Sequence, residues 1–308
     1  MFTPLHIIPH DTRIDFMRHH KLTFIISVVM VIGSLLLLFT KGLNYGIDFA
    51  GGILIEVQSE GPADLGQLRT QLGGLNLGEI SLQQFGAPND VLVRLPRQPG
   101  GEAEQQRAVS LIKQTLGDKW QYRRTETVGP KVGSELIRNA LLAFILAMAG
   151  IMAYVWFRYE WQFGVNVLLA LFHDCVTTVG LFSLLGLEFN LTTVAAVLTI
   201  AGYSVNDTVV IYDRIRYELR RHKTMPLRDL INLSLNTTLS RTTVTSGMTA
   251  LSVLALLLFG GEVIHSFAIA MMWGIVVGTY STICVATPLL LYMNLRRQKT
   301  TEKQIVRA

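Results

Sequence analysis

The chain has 308 residues, of which 50% are hydrophobic and only 16% charged. That is well short of the ~25% charge of an average soluble domain, so composition excludes an ordinary soluble enzyme and points to a membrane protein. The net charge of +5 comes from basic residues gathered beside the ends of apolar runs, which is a topological pattern and not a nucleic-acid surface. Cys175 and Cys284 both lie inside such runs, leaving no disulfide framework and no CxxC metal site.

Apolar runs of about 18 or more residues mark membrane-spanning helices, and the first occupies residues 22–40, after a cytoplasmic N-terminal segment 1–21. It is longer than the ~7 to 15 residue core of a cleaved signal peptide, and LLLLFTKGLNYG offers no small-x-small cleavage site, so it reads as a retained span.

Residues 41–135 read as a compact module outside the membrane. GIDFAGG at 46–52 follows the first span directly, and its Gly46, Asp48, Gly51 and Gly52 are the candidate hinge between membrane and module. Ile53, Ile55 and Val57 alternate as a strand, whereas Leu65, Leu68, Leu72 and Leu75 keep helical spacing. EISLQQF and VLVRL flank the turn signal GAPND as two further strands; Ala108, Leu111, Ile112, Thr115 and Leu116 trace a helix face; WQYRRTETV closes as a strand. The order βαββαβ is that of a ferredoxin-like α+β domain. The module contains no His, no Cys and no glycine loop opening a helix, so binding or mechanical work is expected of it, not catalysis.

Five more spans follow, at 136–157, 163–187, 189–212, 241–261 and 263–295, with a basic loop at 213–240 and a tail at 296–308. The fold class is therefore an α-helical membrane protein of six transmembrane helices, with the ferredoxin-like periplasmic domain between the first two. Six spans put both termini on one side, together with Arg158, Arg214, Arg216, Arg220, Arg221, Lys223, Arg228 and the tail residues Arg296, Arg297, Lys299, Lys303 and Arg307. The opposite loops, LGLEF and FGGEV, carry no Lys or Arg. The positive-inside rule makes the termini cytoplasmic and 41–135 periplasmic.

The chemistry is expected where charge enters the spans. An Asp at mid-helix costs roughly 2.5 to 3.5 kcal/mol on insertion scales, and such residues mark ion or proton paths. Thr199, Tyr203 and Asp207 lie four apart on one helix; Arg241, Thr245, Thr249 and Ser252 share a face of the next; Asn166, Ala170, His173 and Thr177 share a face of the third span, with Asp174 beside them. Asp207 and Arg241 sit at similar depth and are expected to meet as a proton-responsive pair, a snorkelling structural acid and an interfacial arginine anchor being the competing readings. His173 and Asp174 are weaker relay candidates, a histidine packed by a helix-to-helix hydrogen bond being the competing reading. Gly274 and Gly278 form a GxxxG that serves close packing.

The absence of Gx4GK[ST], HExxH and GxSxG argues against nucleotide hydrolysis and hydrolase chemistry, and no catalytic residue, metal or cofactor is expected. An ion gradient remains as energy source: ~2.3 kcal/mol per charge per 100 mV biases two states roughly fifty-fold.

GIDFAGG at 46–52, LFHDCVTT at 171–178, AGYSVNDTVVIYDRIR at 201–216 and RTTVTSGMT at 241–249 resemble the motifs of the SecD/SecF family of bacterial preprotein translocase subunits, in the RND superfamily, over nearly the whole chain. The resemblance implies a half-RND layout in the inner membrane and a SecD partner supplying six further helices. It also implies work beside SecYEG, with YajC and YidC and after SecA has pushed the preprotein in. By motif position it assigns Asp207 and Arg241 to a proton path whose flow drives periplasmic pulling, with Asn206 orienting the Asp207 carboxyl and a further acid on SecD. Rival readings are an RND-type exporter of small molecules or lipids, for which one module of about 95 residues is too small to build the usual ligand cavity, and a structural subunit without ion coupling.

Overall fold

A computed structural model of the protein describes residues 12–84, 86–293 and 295; residues 1–11, Phe85, residue 294 and the basic tail 296–308 lie outside the described residues. Among the described residues, six helices are long and apolar enough to cross a membrane. They are α1 (His20–Thr40), α5 (Pro130–Arg158), α6 (Trp161–Leu185), α7 (Leu191–Arg221), α8 (Leu227–Phe259) and the helix beginning with α9 (Glu262–Ser281). Between α1 and α5 run β1 (Asn44–Tyr45), α2 (Ile47–Ala50), β2 (Gly52–Ser59), α3 (Leu65–Gly73), β3 (Ser81–Gln84), β4 (Asp90–Leu95), α4 (Glu102–Leu116) and β5 (Trp120–Val128), and a two-residue strand, β6 (Glu188–Phe189), joins α6 to α7.

The module is the expected βαββαβ unit. Its four strands stand in the order β3-β4-β2-β5, every pairing antiparallel, which is the ferredoxin-like arrangement. Ile53, Ile55 and Val57 point to one face with Val91, Val93 and Leu95, and there they bury Leu68, Leu72, Ala108, Ile112 and Leu116 of the two helices. The other face turns toward the membrane bundle: Leu54 and Leu92 pack on Ile47 of α2, with Val128 alongside.

In the bundle, α6, α7 and the α9 helix bury half or more of their apolar windows, while α1, α5 and α8 bury under a fifth and present their side chains outward. α9 lies against α7 through small residues, as the GxxxG spacing predicts. A Cβ on Gly274 would strike the Ile200 side chain, and one on Gly278 would sit 3.3 Å from the Cβ of Ser204.

Two segments differ from the sequence expectation. The basic stretch 213–240 is helical apart from residues 222–226, because α7 and α8 both run on past the apolar region. No Pro or Gly interrupts α7 after Gly202, and the buried Glu218 sits 2.7 Å from Arg214 and 2.9 Å from His222, four residues to either side, the spacing that supports an exposed helix. Pro226 then opens α8. The start of α8 also holds the segment before α1: Asp15 accepts from Asn232 at 2.7 Å and from Arg228 at 3.0 Å, contacts that hold its carboxyl below its ordinary value.

The last span, expected as one helix over 263–295, widens into a π-turn at Thr282–Ala286 and tightens into a 3-10 turn at Leu290–Tyr292. Pro288 accounts for it: the ring has no N–H and crowds the carbonyl four residues earlier, so the preceding turn opens. The Thr287 hydroxyl donates to the Thr282 carbonyl at 2.6 Å and closes the wide turn.

Candidate functional site

α7 carries its polar residues inward at Ser204, Asp207 and Thr208, all nearly fully buried. Asp207, only 4% exposed, accepts a hydrogen bond at Oδ2 from the Ser246 hydroxyl of α8 at 3.1 Å. Ser246 is in turn 3.0 Å from the Thr279 hydroxyl of α9. One acid is thus held jointly by the helices on either side of it.

A second acid is held where α6, α7 and α9 meet. Asp174 of α6 is completely buried and accepts from three donors: His173 Nδ1 at 2.9 Å on Oδ1, and the hydroxyls of Ser204 at 2.6 Å and Ser281 at 2.8 Å on Oδ2. The Thr208 and Thr282 hydroxyls meet at 2.8 Å just below. Asp174 therefore ties α6 to α7 and to the last turn of α9, immediately before the π-turn. A carboxylate satisfied by three short bonds is positioned as a helix-joining acceptor, while His173 bonds the neighbouring residue of its own helix.

Arg241 is exposed on α8, and among the described residues no ion pair joins it to Asp207; the two are related by a longer-range electrostatic interaction and not by a direct contact. Of the stripe Arg241, Thr245, Thr249 and Ser252, the first and last are exposed and the two threonines half-buried, while Thr242 and Ser246 turn in. The physical reason is that these hydroxyls satisfy themselves: Thr245 donates to the Arg241 carbonyl at 3.0 Å, Thr249 to Thr245 at 2.9 Å and Ser252 to Met248 at 3.1 Å. A Ser or Thr that bonds its own preceding turn needs no neighbouring helix. Asn206 is likewise exposed and lies on the outward face of α7 with Thr199 and Gly202. The structure thus buries Asp207, His173 and Asp174 and joins the last two, and it leaves Asn206 and Arg241 exposed.

The junction 46–52 is strapped down. β1 pairs in parallel with β6, Asn44 opposite Glu188 and Tyr45 opposite Phe189, and the Gly46 N–H donates to the Phe189 carbonyl at 2.9 Å. Asp48 accepts from the Leu191 N–H at 3.0 Å, placing a carboxylate at the positive end of α7 beside the Asn190–Thr193 capping box. Gly51 and Gly52 hold φ of 71° and 128°, a backbone region that favours glycine, and turn the chain from α2 into β2. Sequence reasoning passed over Ser204, Ser246, Thr279, Ser281, Arg94 and Glu188. The run Thr279, Ser281, Thr282 inside an apolar span was the available signal for the hydroxyls; nothing local marked the other two.

Residues 108–296 match the family model described as the C-terminal region of the protein export membrane protein SecD/SecF, and residues 36–63 match the SecD/SecF GG motif. The chain is 43% identical over 301 residues to the protein translocase subunit SecF of Rickettsia bellii, covering 96% of this chain and 99% of that protein. It is 45% identical over 300 residues to the subunit of the same name from Calditerrivibrio nitroreducens, with the same coverage. Among solved structures, SecDF from Thermus thermophilus, described as a translocon-associated membrane protein, superposes with a TM-score of 0.83 at 38% identity, covering 93% of this chain and 39% of that one. SecDF in a super-membrane-facing form superposes with a TM-score of 0.70, also at 38% identity, covering 95% and 40%. The chain spans about two fifths of the length of those SecDF chains.

Proposed function

Because the chain belongs to the SecD/SecF family of protein-export membrane proteins, we propose that it is the SecF-type half of a SecDF assembly that uses the proton gradient to draw preproteins across the bacterial inner membrane. The coarser part follows from the family: this is a transport component of the protein translocase, and its six apolar helices make it a multi-pass membrane protein.

The observation that carries the coupling is Asp207. An acid 4% exposed in a membrane-spanning helix, held by one serine hydroxyl, is costly unless its charge state changes in use. The orientation of the whole supports the same reading: termini cytoplasmic and the module at 41–135 periplasmic, as the loop charges require.

SecD is the proposed partner. The exposed polar residues Thr199 and Asn206 of α7 and Arg241 and Ser252 of α8 would be costly in hydrocarbon and are suited to a second polar-faced bundle. An acid from that bundle would then meet Arg241, completing a path with Asp207, while Asn206 contributes at the interface. SecYEG, SecA, YajC and YidC are the further partners that family likeness suggests, and the translocating preprotein is the substrate.

The test is preprotein translocation in inverted vesicles, with and without an imposed proton gradient, using the full complex. Asp207→Asn is expected to assemble and to lose the response to the gradient. A wild-type response in that variant removes proton coupling from Asp207 and leaves a structural subunit.

A further inference from the structure

Between the sheet module and the membrane bundle the structure records one contact of opposite charges. Arg94 of β4 pairs with Glu188 of β6, and among the described residues no other ion pair joins the module to the bundle. Arg94 lies on the sheet face opposite the module's core, on a strand bonded to neighbours on both sides. Its side chain is 17% exposed and that of Glu188 21%, and burial holds the guanidinium below its ordinary value. The pair is partly desolvated, so removing one partner leaves the other charged, screened from water and unpaired.

Glu188 is also where everything else converges. It stands opposite Asn44 in the β1–β6 pairing, and a Cβ added to Gly46 would collide with its side chain, so the strap approaches it as closely as a backbone can. Three residues later α7 begins, with Asp48 on the Leu191 N–H. From Leu191 the helix runs without proline to Asp207, a distance of about 24 Å at 1.5 Å per residue. A shift or rotation of α7 at Asp207 therefore arrives at residues 188–191. The β1–β6 ladder and Asp48 pass it to α2, the short element at the edge of the module, and Glu188 passes it directly to β4 in the middle of the sheet.

We infer that the Arg94–Glu188 ion pair is the contact that transmits movement of α7 to the periplasmic module, making Arg94 and Glu188 positioning residues for the coupling reaction. The inference rests on the proton-coupled reading of Asp207 and extends it to residues that no motif marks. It sets a strap and a clasp beside the candidate hinge at 46–52: the strap fixes where the module sits, and the clasp decides whether it follows α7.

The experiment uses the full complex in inverted vesicles and reads the ratio of translocation with a proton gradient to translocation without one. Arg94→Glu and Glu188→Arg are each expected to lower that ratio to the level of Asp207→Asn, and the double variant, which restores opposite charges with the sides exchanged, to raise it toward wild type. Arg94→Gln, which places no like charges together, is the second single variant should a reversal fail to assemble, and it is expected to lower the ratio as well. Co-purification with the partner subunit separates coupling from folding: singles that assemble normally and lose the ratio support the clasp. If Asp207→Asn is unresponsive while Arg94→Glu and Arg94→Gln respond as wild type does, the clasp is wrong and the coupling reading stands. If Asp207→Asn itself responds, the coupling reading has failed instead. A double variant no better than the singles, or loss of assembly in Arg94→Gln, makes the pair structural glue and overturns the proposal.

Discussion

Ser246 donates to Asp207 at 3.1 Å across the α7–α8 contact and stands 3.0 Å from Thr279 on α9, so the carboxyl of α7 is held by a neutral hydroxyl and not by the arginine five residues earlier on α8. A hydrogen bond to a charged group is worth roughly 1.5 to 3 kcal/mol, about ten- to a hundredfold in the population of the state that makes it. Ser246→Ala is expected to weaken the ionised, held state of Asp207 and so to reduce gradient-driven translocation, while Ser246→Thr, which keeps the hydroxyl, retains most of it. Equal rates for Ala and wild type would make the serine a bystander.

Arg241 faces outward on α8, where the proposed partner supplies the missing charge. A guanidinium offers a planar fork to a carboxylate and an ammonium does not, so Arg241→Lys is expected to assemble but to couple poorly. Full gradient response in the lysine variant would reduce Arg241 to an interfacial anchor, for which any cation serves.

Sequence periodicity located the module's core because burial and spacing coincide in its strands: Ile53, Ile55 and Val57 are all fully buried. In α4 the match is looser. The buried face is Gln105, Ala108, Ile112 and Leu116, while Leu111 is 41% exposed and Thr115 points out. A polar residue inside and a leucine outside shift the apparent stripe. For the site, the burial of Asp207 was legible because a carboxylate in an apolar run must be sheltered. The facing of Arg241 was not, because α8 carries hydroxyls on all sides and each can satisfy itself along its own helix. The bonds of Asp174 to Ser204 and Ser281 and the Arg94–Glu188 clasp join residues separated by 30, 107 and 94 positions, a relation only the packed chain displays.

Asp174 should matter more for stability than Asp207 does. Replacing it by alanine strands three donors, on His173, Ser204 and Ser281, and each unsatisfied buried group costs about 1 to 3 kcal/mol. Asp174→Ala is expected to lower the thermal unfolding temperature of the purified complex well below that of Asp207→Asn, which keeps an acceptor for Ser246. An Asp174→Ala complex as heat-stable as wild type, yet deaf to the proton gradient, would turn this node from a helix joint into a relay.

Topology sets the direction of every step above. Gly100 lies in an exposed turn between β4 and α4, a position suited to a reporter insertion. Residues 222–226, between the basic ends of α7 and α8, mark the opposite side. Six spans require the two positions to lie on different faces of the membrane, and the concentration of Arg214, Arg216, Arg220, Arg221 and Lys223 around the second assigns it to the cytoplasm. A reporter active only after export should therefore work at Gly100 and stay silent at 222–226, and one active only in the cytoplasm should do the reverse. The inverted pattern would place the sheet module in the cytoplasm, where it could pull on nothing emerging from the channel, and the export role proposed for it would fall with the topology.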